Sequence, residues 1–134
     1  MGFAINWCVE KQVIYLKFFG VVCAEEIVQA NRQAMAFTQA GTQPVHVVIN
    51  IREISEFPTN LRWVLSLIER NETVSAGWHI IVSDSGAIRF LASTILQILK
   101  VPIHVCTNLD EARVFLAQYD LSPVFSSAPA AHVR

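Results

Sequence analysis

Val45-His46-Val47-Val48-Ile49-Asn50-Ile51 is the stretch whose reading decides the fold. Its density of β-branched residues predicts a strand, and its two parities differ in chemistry. Val45, Val47, Ile49 and Ile51 are all apolar, whereas His46, Val48 and Asn50 are mixed. A parallel strand covered on both sides reads as an unbroken apolar run, so the contrast predicts one helix-covered face and one mixed face.

Working outward, Cys23-Ala24-Glu25-Glu26 opens a helix with acids in its first turn, running through Ile27, Ala30, Ala34 and Phe37 to a stop at Gly41. Before it, Ile5 to Val9 and Val13 to Phe19 flank the Glu10-Lys11-Gln12 break and read as a hairpin. After the central strand, Leu61, Val64, Leu65 and Ile68 give a second helix from about Asn60 to Arg70. Gly77 restarts the chain as the strand Trp78 to Ser83, Asp84-Ser85-Gly86 leads into the apolar helix Ala87 to Lys100, and Pro102 breaks it before the strand Ile103 to Cys106. Asn108 with Glu111 resembles a capping box for a last helix with Ala112, Phe115, Leu116 and Tyr119 as its stripe.

The order is β-β-α-β-α-β-α-β-α, an α/β fold with a five-stranded mixed sheet: an antiparallel hairpin, then parallel strands joined by right-handed crossovers. The parity rule assigns Ile5, Trp7 and Val9, then Ile14, Leu16 and Phe18, the odd residues of 45–51, Trp78, Ile80 and Val82, and Ile103 and Val105 to the helix-covered face. The other face then carries residues such as Cys8, Tyr15, His46, His79 and His104. The expected architecture is a right-handed superhelix with its helices on one face. Residues 1–121 form the domain, and the Ser, Pro and Ala of 122–134 read as a loose, flexible tail.

Composition narrows the function classes. At 134 residues and 53% hydrophobic the chain suits one domain with a real core. A net charge of -1, from 10 basic and 11 acidic residues without runs, offers no footprint for nucleic acid. Cys8, Cys23 and Cys106 have no CxxC spacing and read as reduced, buried thiols of a cytoplasmic protein. No export signal or lipid anchor is expected from the start of the sequence. The longest apolar stretch, Ala87 to Leu99, is interrupted by Arg89, Ser93 and Gln97, so no transmembrane segment is expected.

Ile5-Asn6-Trp7 before a strand ending Phe18-Phe19-Gly20, Gly77-Trp78-His79-Ile80-Ile81-Val82 and the closing Thr107-Asn108-Leu109-Asp110-Glu111-Ala112 together resemble the SpoIIAA-like branch of the STAS domains, over about residues 4–121. The resemblance implies a superhelix of strand-helix units and a non-catalytic regulatory protein-interaction module. In the antagonist branch it implies a switch by phosphorylation of a serine in an Asp-Ser-Ser-Gly-like turn. The matching turn here reads Ile54-Ser55-Glu56-Phe57-Pro58-Thr59-Asn60-Leu61, with no Asp-Ser pair and no glycine. Asp84-Ser85-Gly86 falls one unit too late for that role to pass to Ser85.

The candidate sites follow. Thr59 or Asn60 is placed to cap the second helix, and Thr59 is the possible phosphorylation site. Ser83, Asp84 and Ser85 make a polar turn at a strand's carboxyl end, where α/β sheets place ligands. His46, His79 and His104 occupy equivalent strand positions and are expected as a row on one face, either a polar rim or a metal site with Cys106; the rim is the simpler reading, and no metal or cofactor is expected. Neither Cys8 nor Cys106 has a neighbouring base, so no enzyme is expected. The third helix is more apolar than a one-sided cover requires, and Trp63 and Leu67 lie off the second helix's core stripe. Trp63, Leu67, Phe90, Ser85 and Arg89 therefore outline a groove between helices 60–70 and 87–100, for a protein partner, a second copy in a homodimer, or a small apolar ligand such as a lipid or quinone.

Overall fold

Lys11 turns through a left-handed conformation (φ 67°) and reverses the chain between β1 (Phe3–Val9) and β2 (Val13–Val21), which pair antiparallel. The computed structural model describes residues 2–68 and 76–125. After the hairpin come α1 (Ala24–Ala40), β3 (Val45–Glu56), α2 (Leu61–Leu67), β4 (Ala76–Val82), α3 (Gly86–Ile98), β5 (Ile103–Cys106) and α4 (Leu109–Ala117). The strands form one five-stranded sheet in the order β1-β2-β3-β4-β5, and β2 to β5 run parallel. This is the mixed sheet expected from the sequence.

Local signals set the helix starts. Glu26 accepts the backbone N–H of Cys23 at 3.1 Å, Asn60 takes that of Trp63 at 3.2 Å, Ser85 that of Ile88 at 3.4 Å and Asn108 that of Glu111 at 2.9 Å. Each satisfies an amide that the first turn leaves without an intrahelical partner. The second helix is shorter than expected, because Ile68 is already extended (φ -78°, ψ 127°); residues 69 and 70 lie outside the described residues.

The helices do not all lie on one face. Ile14, Leu16, Phe18, Val45, Val47 and Ile51 pack with Ala30, Ala34, Ile88, Ala92 and Leu96 of α1 and α3, while Val64 of α2 and Ile68 just after it pack with Val28 of α1 and Ile95 of α3. On the other face Val13, Tyr15, Val48, Ile80, Val82 and Cys106 pack with Ala112 and Leu116 of α4. The reason is topological. Each of α1, α2 and α3 links two parallel strands added in sequence, and crossovers of one hand put all three on one side. No strand follows α4 among the described residues, so the crossover rule does not constrain it, and it covers the apolar surface of the second face.

Three further expectations are corrected by this second layer. In β4 the parity is the reverse of that expected, since Val47 pairs with His79, Ile49 with Ile81 and Val48 with Ile80. Ile81 and His79 thus face α1 and α3, and Ile80 and Val82 face α4. Trp78-His79-Ile80-Ile81-Val82 carries large apolar residues in both parities because both faces are covered, and alternation then carries no sign. Val9 also sides with α4, because the register shifts between Trp7 and Val9. Finally, the packed chain runs past Leu121: Pro123 is buried, Val124 donates its N–H to the Cys8 carbonyl at 3.0 Å, and Phe125 stacks against Tyr15 at 5.0 Å. Residues 122–125, expected as the start of a loose tail, pack against the second face in this way, and 126–134 are outside the described residues.

Candidate functional site

Small side chains on the inner stripes of two helices create the site. α1 lies over β1 and β2 and α3 over β4 and β5, and between them, above β3, Ala30, Ala34 and Ala92 leave space that larger residues would have filled. Between them and the sheet is a half-enclosed cavity of about 680 Å³. Its floor is Leu16 and Phe18 of β2, Val45, Val47, Ile49 and Ile51 of β3 and Ile81 of β4, and Ile68, Ile95, Leu96 and Leu99 close its flank. That volume lies within the range of ligand pockets, and the lining is overwhelmingly aliphatic.

Polar side chains in the lining are few. Thr38 near the end of α1, His79 near the start of β4 and Lys100 after α3 stand where the parallel strands begin; Asn31 lies further along α1. Thr38 donates its Oγ1 hydrogen to the Ala34 carbonyl at 2.8 Å. His79 Nδ1 lies 3.1 Å from the Gly77 carbonyl. A carbonyl only accepts, so Nδ1 carries the proton and Nε2 is the ring's acceptor. Burial against the aliphatic lining pushes the His79 pKa down to about 4, which keeps the ring neutral near neutral pH.

The residues expected to outline a groove between α2 and α3 do not line this cavity. Trp63 is 52% exposed, Leu67 38% and Phe90 69%, so they face outward. The facing stripes of the two helices, Val64, Ile68 and Ile95, are buried against each other and leave the space beneath rather than between them. Ser85 is the N-cap of α3, and Arg89 reaches back to the Ser83 carbonyl at 3.5 Å. Thr59 is exposed just before the cap, which is Asn60.

The histidine row does not form. His79 looks into the cavity, whereas His104 stacks on Phe115 of α4 at 3.9 Å and His46 packs on Tyr119 at 5.8 Å, both on the opposite face. His46 has its own structural work: its Nδ1 accepts the Trp78 N–H at 2.9 Å, at an irregularity in the β3-β4 register. A Cβ on Gly77 would come within 2.6 Å of that nitrogen, so only glycine fits there. Among the described residues no group of histidine, cysteine or acidic side chains could hold a metal ion.

The cysteines divide two ways. Cys8 and Cys106 are buried, and desolvation pushes their pKa values up to about 12 and about 11, so both thiols stay protonated. Cys23, expected to be buried, is exposed at the mouth of α1, because a capping position sits on the surface. No helix among the described residues is long and apolar enough to cross a membrane.

Sequence reasoning placed Ala30 and Ala34 on a core stripe and His79 in a strand, without joining them into a site. The available signal was size: alanine recurring four residues apart where a core stripe ordinarily carries leucine or isoleucine. The chain matches no protein-family model and no curated protein.

Proposed function

We propose that the protein is a non-catalytic, cytoplasmic binding protein whose ligand is a small apolar molecule held between the sheet and helices α1 and α3. One observation carries this reading: an aliphatic cavity of about 680 Å³ at the centre of an otherwise packed domain. A half-enclosed apolar space of this size leaves part of its lining without close-packed neighbours, and a bound ligand supplies those contacts. The ligand space differs from the α2-α3 groove read from the sequence, but the chemical class is the same. The test is titration of the full chain with N-phenylnaphthylamine, whose fluorescence rises in apolar surroundings. Ala92→Trp, which places an indole in the cavity, is expected to weaken probe binding at least about tenfold while far-ultraviolet circular dichroism stays native. Equal fluorescence with both proteins would place the probe elsewhere and remove the reading.

A second reading, a regulatory interaction module of SpoIIAA-like STAS type acting on a protein partner or as a homodimer, is favoured by the exposure of Trp63 and Phe90. Large aromatics in water are the usual anchors of interfaces. Within that reading exposed Thr59 is the residue open to phosphorylation. A strictly monomeric chain in sedimentation, with Trp63→Ala changing no association, would count against it.

A further inference from the structure

We propose that the ligand is a neutral amphiphile, an alkyl chain ending in a hydroxyl, bound with the hydroxyl on His79 Nε2 and the chain running toward Phe18, Ile51 and Phe57. This rests on the apolar-ligand reading above and adds the ligand's class and direction.

The cavity has two unlike ends. Its floor along β3, from Val45 to Ile51, spans roughly 20 Å at about 3.3 Å per residue. Thr38, His79 and Lys100 lie at the end where the strands begin, and Phe18, Ile51 and Phe57 line the end where they finish. Such a gradient orients a ligand that is itself polar at one end.

Hydrogen-bond direction then selects the head group. His79 spends its ring N–H on the Gly77 carbonyl, and Thr38 spends its hydroxyl hydrogen on the Ala34 carbonyl. What each has left for the cavity is a lone pair, so the head group must donate. A carboxylate has only lone pairs to offer, and would meet acceptors on both sides. A protonated amine could donate, but among the described residues no acidic side chain lines the cavity to balance its charge. A hydroxyl satisfies the ring without bringing a charge into aliphatic surroundings. The ring's suppressed basicity agrees with this arrangement, since an imidazolium would have no lone pair to give. Lys100 is the one cation among the described lining residues and is exposed to water at the rim.

Displacement of N-phenylnaphthylamine from the full chain by dodecanol, dodecane and dodecanoate tests the proposal. Dodecanol is expected to bind about tenfold more tightly than either of the others, the usual value of one satisfied hydrogen bond in an apolar site. His79→Leu is expected to bring dodecanol down to the level of dodecane while dodecane is unaffected. The wild-type ranking decides the matter even if that variant fails to fold. Dodecane equal to dodecanol would overturn the head-group assignment and leave the cavity reading standing. Dodecanoate as the tightest ligand, lost in Lys100→Met, would replace it with an anionic head at the rim. Failure of all three compounds, and of the probe itself, would remove the cavity reading along with the proposal.

Discussion

The two faces of the sheet are built from the same strands but are filled differently. On the α4 face, Trp78, Phe115, Tyr119 and His46 form a continuous aromatic cluster, with Trp78 Nε1 donating to the Tyr119 hydroxyl at 2.9 Å and Phe115 edge-on to Trp78 at 5.2 Å. Tyr15 and Phe125 form a separate aromatic pair on the same face. On the α1-α3 face, alanines meet branched aliphatics across a gap. A core closes when the side chains opposite a strand are as large as the space its helix leaves, and alanine beneath two long helices leaves that space open. The lesson is that coverage and filling are separate properties: both faces are covered, and one is packed.

The difference predicts unequal penalties for the same truncation. Ile80 of β4 has no exposed surface and is enclosed by the α4 layer, so Ile80→Ala should lose about 4 kcal/mol of unfolding free energy. Ile49 of β3 already borders the cavity, and Ile49→Ala, which only enlarges it, should lose roughly 2 kcal/mol in ligand-free protein. Urea unfolding of both variants measures the pair. Equal losses would mean that the two faces are equally filled in solution.

The sequence made some of this legible. Apolar and β-branched density located the five described strands, although β3 runs on to Glu56 through residues read as a turn, and Asn108, Ser85 and Asn60 marked helix starts through side chains that compete for backbone amides. Strand order followed from sequential crossovers. The parity of β4 was illegible, because a strand buried on both faces loses its alternation, and with it went the side on which His79 lies. The location of α4 was illegible for a related reason: a helix with no following strand among the described residues is not tied to either face by the crossover rule. The cavity was hidden because it depends on what is missing from Ala30, Ala34 and Ala92, and emptiness is a property of facing residues jointly, not of any one position.

Acid should act first on the open face. The His79 ring is neutral in the fold, with its pKa lowered from 6.5 to about 4, whereas the unfolded chain takes up that proton near 6.5. Between those values the unfolded state binds more protons than the folded one, so stability falls as pH falls. The contribution is fully present above about 6.5 and gone below about 4. The expected loss is roughly 2 to 3 kcal/mol across that window, read from urea midpoints at successive pH values. His46 on the other face, also lowered by burial, adds a loss of the same sign. His79→Leu should therefore flatten the profile in part, leaving the remainder to His46; an unchanged profile would show that the ring is not desolvated by the cavity.

The smallest effect concerns the edge of the packed face. Phe125 stands beyond α4, where small residues and prolines gave no periodicity, yet its ring lies 5.0 Å from Tyr15 and the Arg113 guanidinium sits over it at 4.9 Å. Tyr15 is almost fully buried, and its hydroxyl accepts the side-chain N–H of Asn50 at 3.0 Å, so Phe125 shields a buried polar pair as well as apolar surface. Removing the ring should therefore admit water to that pair. Phe125→Ala is expected to lose about 1 to 2 kcal/mol, less than a central core truncation because the ring is only partly buried. Truncation after Leu121 should lose at least as much, since it also removes the hydrogen bond from Val124 to the Cys8 carbonyl. Faster modification of Cys8 by a thiol reagent should accompany both changes, because its protection depends on the same cover. If truncation left stability and Cys8 protection unchanged, the second face would be closed by α4 alone, and the contrast between the faces would rest on that helix.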